Sequence, residues 1–145
     1  MDSRNKCDTY FKITGDFDPD VVSEMLGLTP EKQWRIGDKR RGGRSEFEFA
    51  SWKIGLCSEY DVIVENQMHH TIRPLLPKIE TLKEIKQKFN VYFTLEIVPW
   101  LFAGEIAPCL APSKEVIRFC YETDTSIDID LYLFNSTDGD EIIQE

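Results

Sequence analysis

Residues 15–52 read GDFDPDVVSEMLGLTPEKQWRIGDKRRGGRSEFEFASW, and the arrangement of the whole chain turns on how this stretch folds. Asp18 before Pro19 is a helix start: the aspartate can cap free backbone N–H groups, and proline lacks only a donor that the first turn does not use. Val21, Val22, Met25 and Leu26 then share one helical face, and Gly27 supplies a C-terminal glycine. Thr29-Pro30-Glu31 repeats the start signal and predicts one further turn carrying Trp34. From Gly37 to Ser45 the composition is that of a turn with no apolar period, which predicts an exposed loop. Phe47 and Phe49 share one strand parity and Trp52 and Ile54 the other, so a single strand through all four needs a bulge near Ala50-Ser51.

Outward from this stretch the period of the apolar residues changes between two and about 3.6. On the N-terminal side, Thr9, Phe11 and Ile13 alternate with Tyr10, Lys12 and Thr14, a strand with one buried face. On the C-terminal side, Met68, Ile72, Leu75, Leu76, Ile79, Leu82, Ile85 and Phe89 recur every three or four positions. This predicts a long helix from Val64 to Phe89, broken near Leu76 with Pro77 opening its second half. Val91, Phe93, Leu95 and Ile97 alternate along a third strand that Pro99 ends or places at an edge. Ser113 reads as an N-cap, with Val116, Ile117, Cys120 and Tyr121 on the buried face of a helix. Ile127, Ile129, Leu131 and Leu133 alternate along a fourth strand.

The expected fold class is α+β: a single sheet of about four main strands with helices packed on it, in the order βαβ-α-βαβ. A ferredoxin-like βαββαβ sheet with an inserted broken helix fits that order. The chain of 145 residues is long enough for one core, burying about 70 per cent of its unfolded surface. Residues 1–135 are expected to form a single α+β domain, and the acidic residues 136–145 a frayed tail.

The net charge of −9 argues against general binding of duplex nucleic acid, whose affinity rests on phosphate neutralisation. The charge is unevenly placed, because Lys32, Arg35, Lys39, Arg40, Arg41 and Arg44 against Asp38 make residues 32–44 a local +5 and leave −14 elsewhere. Cys7, Cys57, Cys109 and Cys120 show no C-x-x-C spacing, and Met1 is followed by Asp, Ser, Arg, Asn and Lys rather than by a secretory signal. Free thiols in a reducing cytoplasm are the expectation. No apolar run approaches the roughly 20 residues that span a bilayer, so no membrane association is expected.

The sharpest candidate site is the loop GDKRRGGRS, where glycines allow close backbone approach and guanidinium groups can grip a carboxylate or phosphate. It is not a P-loop, because Gly43 and Arg44 stand where lysine and serine or threonine belong. The candidate ligand-binding residues are Trp34, Arg35, Lys39, Arg40, Arg41 and Arg44, with Trp34 as an aromatic platform beside the cations. Asp16, Asp18 and Asp20 resemble the opening of a calcium loop, but Val21 replaces its turn glycine and Gly27 its glutamate. Glu65, His69 and His70 lack the further ligands of a metal site, so no metal or cofactor is expected. The same histidines have no signature-bearing serine or cysteine to serve, so no catalytic residue is assigned.

The pattern LGLTPEKQWRIGD, a basic linker, SWKIG, and a long helix ending KEIKQKFN before a strand resembles the bacterial family catalogued as domain of unknown function 4279. The resemblance runs from about Thr9 to Asn135 and rests on Gly27, Pro30, Trp34, Gly37 and Trp52 in order. It implies a compact α+β domain in a bacterial cytoplasm and brings no activity, cofactor or site residue. The functional expectation is a non-catalytic binding module that uses the basic loop beside Trp34 for an anionic ligand or an acidic protein partner. Its first alternative is an immunity-type protein masking a basic toxin or nuclease with its acidic faces. A hydrolase-like enzyme built on carboxylates and His69 is the weaker alternative.

Overall fold

A computed structural model describes residues 4–60, 63–135 and 142–144. The chain is mixed α+β, with one sheet in which strands β1 (Lys6–Asp16), β3 (Ala50–Tyr60) and β4 (Asn90–Phe102) form the centre. The short strand β2 (Lys32–Trp34) pairs with β3 at one edge. Beyond β4 lie β5 (Thr125–Ile129) and β6 (Tyr132–Phe134), both parallel to β4, and then β7 (Ile142–Gln144), antiparallel to β6. Four helices accompany the sheet among the described residues: α1 (Pro19–Leu26), α2 (Val64–Ile72), α3 (Ile79–Lys88) and α4 (Lys114–Thr123).

The expected four strands are thus seven, and the sheet order β2-β3-β1-β4-β6-β7 replaces the expected ferredoxin-like order. The first expected βαβ unit is an antiparallel excursion. Gly15 at the end of β1 lies opposite Ala50 at the start of β3, so the intervening chain leaves and returns at the same end of the sheet. Apolar alternation specifies a buried face but not the direction in which a strand runs. The expected fourth strand is cut in two at Asp130, whose N–H turns to the Ile97 carbonyl at 2.9 Å. Pro99, which lacks a donor, sits in β4 at this gap, after β5 has ended opposite Ile97 and before β6 begins opposite Trp100.

The local helix signals hold. Asp18 accepts from the Asp20 N–H at 2.9 Å, and Gly27 adopts φ 66° while its N–H returns to Ser23. Ser113 accepts from the Val116 N–H at the start of α4. The long helix breaks earlier than expected, at Arg73, and both Pro74 and Pro77 lie in a 3-10 segment, Arg73–Lys78, that joins α2 to α3. On α4 the buried side chains are Val116, Phe119, Cys120 and Thr123, while Ile117 and Tyr121 point to solvent. The helical turn expected from Thr29-Pro30-Glu31 does not form, and Lys32–Trp34 pair with β3 instead, because a single isolated helical turn is costly to nucleate.

The expected bulge at Ala50-Ser51 is absent; Phe47 and Phe49 precede β3, which removes the conflict of parity. A bulge occurs further on, where Thr9 pairs with Cys57 but Phe11 with Ile54, so that β3 carries one extra residue around Gly55. Gly55 has φ 76°, and a Cβ there would lie 2.7 Å from the Thr71 carbonyl oxygen of α2. Thr71 donates to the Gly55 carbonyl at 2.6 Å, and Gln67 bridges the two strands by donating to the carbonyls of Cys7 and Cys57. The helices cover one face of the sheet over a core that includes Phe11, Trp52, Leu82, Phe93, Leu95 and Phe119. Phe11 meets Phe93 and Phe119 edge-on, at ring-centre distances of 5.6 and 6.2 Å. Of the tail expected to fray, residues 136–141 and 145 lie outside the described residues, while Ile142–Gln144 pair with β6.

Candidate functional site

The basic segment is a hairpin rather than an irregular loop. Gly37 donates to the Phe47 carbonyl and Phe47 to the Asp38 carbonyl, while Arg40 donates to the Ser45 carbonyl, all at 2.8 to 2.9 Å. Gly42 and Gly43, at φ 96° and 72°, supply the positive-φ positions of its tip. Asp38 takes the Arg35 N–H at 2.8 Å and closes the base.

The structure divides the six predicted residues into three groups. Arg35 folds back onto α1 and donates to Asp18 at 2.6 Å and to Asp20. Asp18 is accordingly held below its ordinary range, first by the Asp20 N–H and then by Arg35. Lys39 pairs with Glu46 at 2.9 Å across the hairpin. Arg40 lies over the Phe47 ring at 4.6 Å. Among the described residues, Arg41 and Arg44 have no carboxylate partner. Trp34 stacks face to face on Phe47 at 4.1 Å, and its indole donates to the Phe49 carbonyl at 3.0 Å. It therefore supports the hairpin from behind instead of offering a bare ring. A cavity of about 650 Å³ opens on the hairpin, lined by Ile36, Gly37, Lys39, Arg44 and Phe47 among others.

From Trp34 the cationic surface continues onto the sheet face that carries no helix. Lys32 lies opposite Lys53, and Lys53 opposite Lys12, so three lysines form one row across β2, β3 and β1. Cross-strand partners point to the same face. The Lys53 ammonium lies 5.1 Å from the ring centres of both Trp34 and Tyr10, and Lys32 lies 6.0 Å from Trp34. Burial, then the charges of Lys32 and Lys12, pull the Lys53 pKa below the ordinary lysine range. Lys12 pairs with Glu96 at 2.9 Å. Glu96 is only 4 % exposed, and burial together with the facing Asp128 outweighs Lys12 and pushes its pKa up. Tyr10, in register with Glu96, is pushed to about 12, mostly by burial and then by the Glu96 charge.

A family model described as a domain of unknown function (DUF4279) matches residues 5–134. The chain belongs to the DUF4279 family. Comparison with curated proteins and with solved structures finds no match. The family match confirms the resemblance carried by Gly27, Pro30, Trp34, Gly37 and Trp52.

In this DUF4279 chain His69 has a neighbour that the sequence did not suggest. Ser113 Oγ lies 2.9 Å from its Nε2, and Glu115 lies 3.5 Å from its Nδ1. Ser113 also caps α4 and Glu115 stands in its first turn, so His69 fastens α2 to the start of α4. His70 lines cavities beside β3 with Arg73. Among the described residues no group of three or more His, Cys, Asp or Glu side chains could hold a metal ion. No helix among them is long and apolar enough to cross a membrane. All four cysteines are unpaired. Burial pushes the thiols of Cys7 and Cys120 up to about 12 and about 11, and Cys109 is exposed.

Sequence reasoning missed the lysine row because Lys12, Lys32 and Lys53 are about twenty residues apart, and Lys32 reads as one end of the basic stretch 32–44. The available signal was strand parity: Lys12 alternates with Phe11 and Ile13, and so had to face away from the core.

Proposed function

We propose that this chain is a non-catalytic binding module that receives an anionic ligand, or the acidic surface of a protein partner, at the basic hairpin beside Trp34. The observation that carries the reading is the state of Arg41 and Arg44. Both stand at a glycine-rich tip with no carboxylate partner among the described residues, while Arg35 and Lys39 are held by acids. Unpaired guanidinium groups keep their full capacity for paired hydrogen bonds to carboxylate or phosphate. The hydrogen-bonded base of the hairpin limits the ordering cost of binding. A bacterial cytoplasmic setting belongs to the same reading, and its reducing compartment is consistent with four unpaired thiols.

The test uses a fluorescent oligoglutamate peptide and follows its anisotropy at low salt. Wild-type chain should bind it, the double variant Arg41→Glu/Arg44→Glu should lose binding, and Arg35→Ala should retain it. Undiminished binding by the double charge-reversal variant overturns the hairpin as the receptor.

A further inference from the structure

The helix-free face of the sheet carries a second concentration of positive charge, and it differs from the hairpin in being built into paired strands. Lys32, Lys53 and Lys12 occupy one row on three neighbouring strands, which are spaced about 4.8 Å apart. Only Lys12 is neutralised, by Glu96. Among the described residues Lys32 and Lys53 have no carboxylate partner. The rings of Trp34 and Tyr10 hold the Lys53 ammonium in place, but a ring attracts a cation without cancelling its charge. Two adjacent ammonium groups repel one another, and that repulsion is relieved when an anion binds between them.

We propose that this row is an anion site distinct from the hairpin, centred on Lys53, and that it takes a short phosphate chain, either free or carried by a nucleotide. The two unneutralised lysines, Lys32 and Lys53, lie one strand spacing, about 4.8 Å, apart and can grip neighbouring phosphates of a linked chain, with Lys12 at the border of the site. Acidic groups lie to one side: Glu96 and Asp128 are opposite one another on β4 and β5. The anion is thereby directed to the β2–β3 end of the row. Thr94, in register with Lys12, adds a hydroxyl at its border. Trp34 cannot stack a nucleobase on the face that Phe47 covers. Tyr92, 68 % exposed and opposite Thr14 in the next row, is the ring placed to do so.

Titration calorimetry of the intact chain at low salt, with inorganic triphosphate and with ATP, tests the site. Lys53→Met is expected to weaken triphosphate binding by about tenfold to a hundredfold, the value of a charged hydrogen bond. Lys53→Arg should retain binding. Lys32→Met, an exposed change that leaves the core untouched, should also weaken it. Arg41→Glu/Arg44→Glu should leave it within about threefold, as expected for separate sites. Tighter binding of ATP than of triphosphate supports a role for Tyr92, and equal binding supports recognition of the phosphate chain alone. The proposal is overturned if wild type binds neither anion, or if Lys53→Met and Lys32→Met both bind as wild type does. It is also overturned if the hairpin variant, rather than the lysine variants, loses triphosphate. The hairpin reading fails separately, through its oligoglutamate test.

Discussion

The basic hairpin and the lysine row hold positive charge in opposite ways. In the hairpin the charge is dense in sequence, yet two of its most conspicuous cations are already occupied, Arg35 by Asp18 and Asp20 and Lys39 by Glu46. In the row the charge is sparse in sequence and is assembled only by strand pairing, and Lys32 and Lys53 stay unneutralised. What separates the two is where their acids lie. Lys39 meets Glu46 across its own hairpin and Arg35 reaches Asp18 and Asp20 on α1, whereas each lysine of the row meets only those acids that the strand register brings to it.

The largest expected effect strikes the register itself. Gly55→Ala places a Cβ against the Thr71 carbonyl at a positive φ, and should cost about 3 kcal/mol of stability in urea unfolding. The bulge at Gly55 lets Lys53 face the open side while Cys57, beyond it, faces the helices. A variant that folds with unchanged stability would mean that the register of the row is not fixed there.

Next in size are the two binding losses. Triphosphate should follow Lys53 and oligoglutamate should follow Arg41 and Arg44. A variant of one region that abolishes both activities would merge the two into a single surface.

A smaller effect lies in the pH dependence of stability, where the buried Glu96 and the half-buried Lys53 act with opposite signs. Glu96 titrates above its ordinary 4.5 in the folded chain, so the folded state holds its proton longer. Its contribution is greatest below 4.5 and is lost as pH rises through the elevated folded value. Lys53 titrates below its ordinary 10.5, so its penalty is full below the lowered folded value and disappears as pH climbs to 10.5. Read as the difference between wild type and variant, the Glu96 share of the melting temperature should fall as pH rises above 4.5, and the Lys53 share should rise as pH approaches 10.5. Glu96→Gln should remove the first of these differences and Lys53→Met the second, and a pH dependence that neither substitution alters would contradict the shifts of these groups.

The smallest effect belongs to the occupied end of the hairpin. Arg35→Ala should leave both anion affinities unchanged, since that guanidinium is committed to α1; a loss of oligoglutamate binding would return Arg35 to the receptor.

Much of the architecture was legible along the chain. Asp18 with Pro19, Gly27 and Ser113 announced helix ends because capping acts within a single turn. The alternation around Phe11 and Phe93 announced two central strands because burial of one face acts at every second residue. The family match covers residues 5–134. The candidate hairpin was found as a basic stretch, but Arg41 and Arg44 could not be separated from Arg35 and Lys39 without knowing where Asp18, Asp20 and Glu46 lie. Strand direction, the position of the bulge, the division of β5 from β6 and the lysine row were settled only in three dimensions. Each depends on which backbone hydrogen bonds form between segments tens of residues apart, and that choice is made by packing the whole sheet against its helices, not by any one segment's preference.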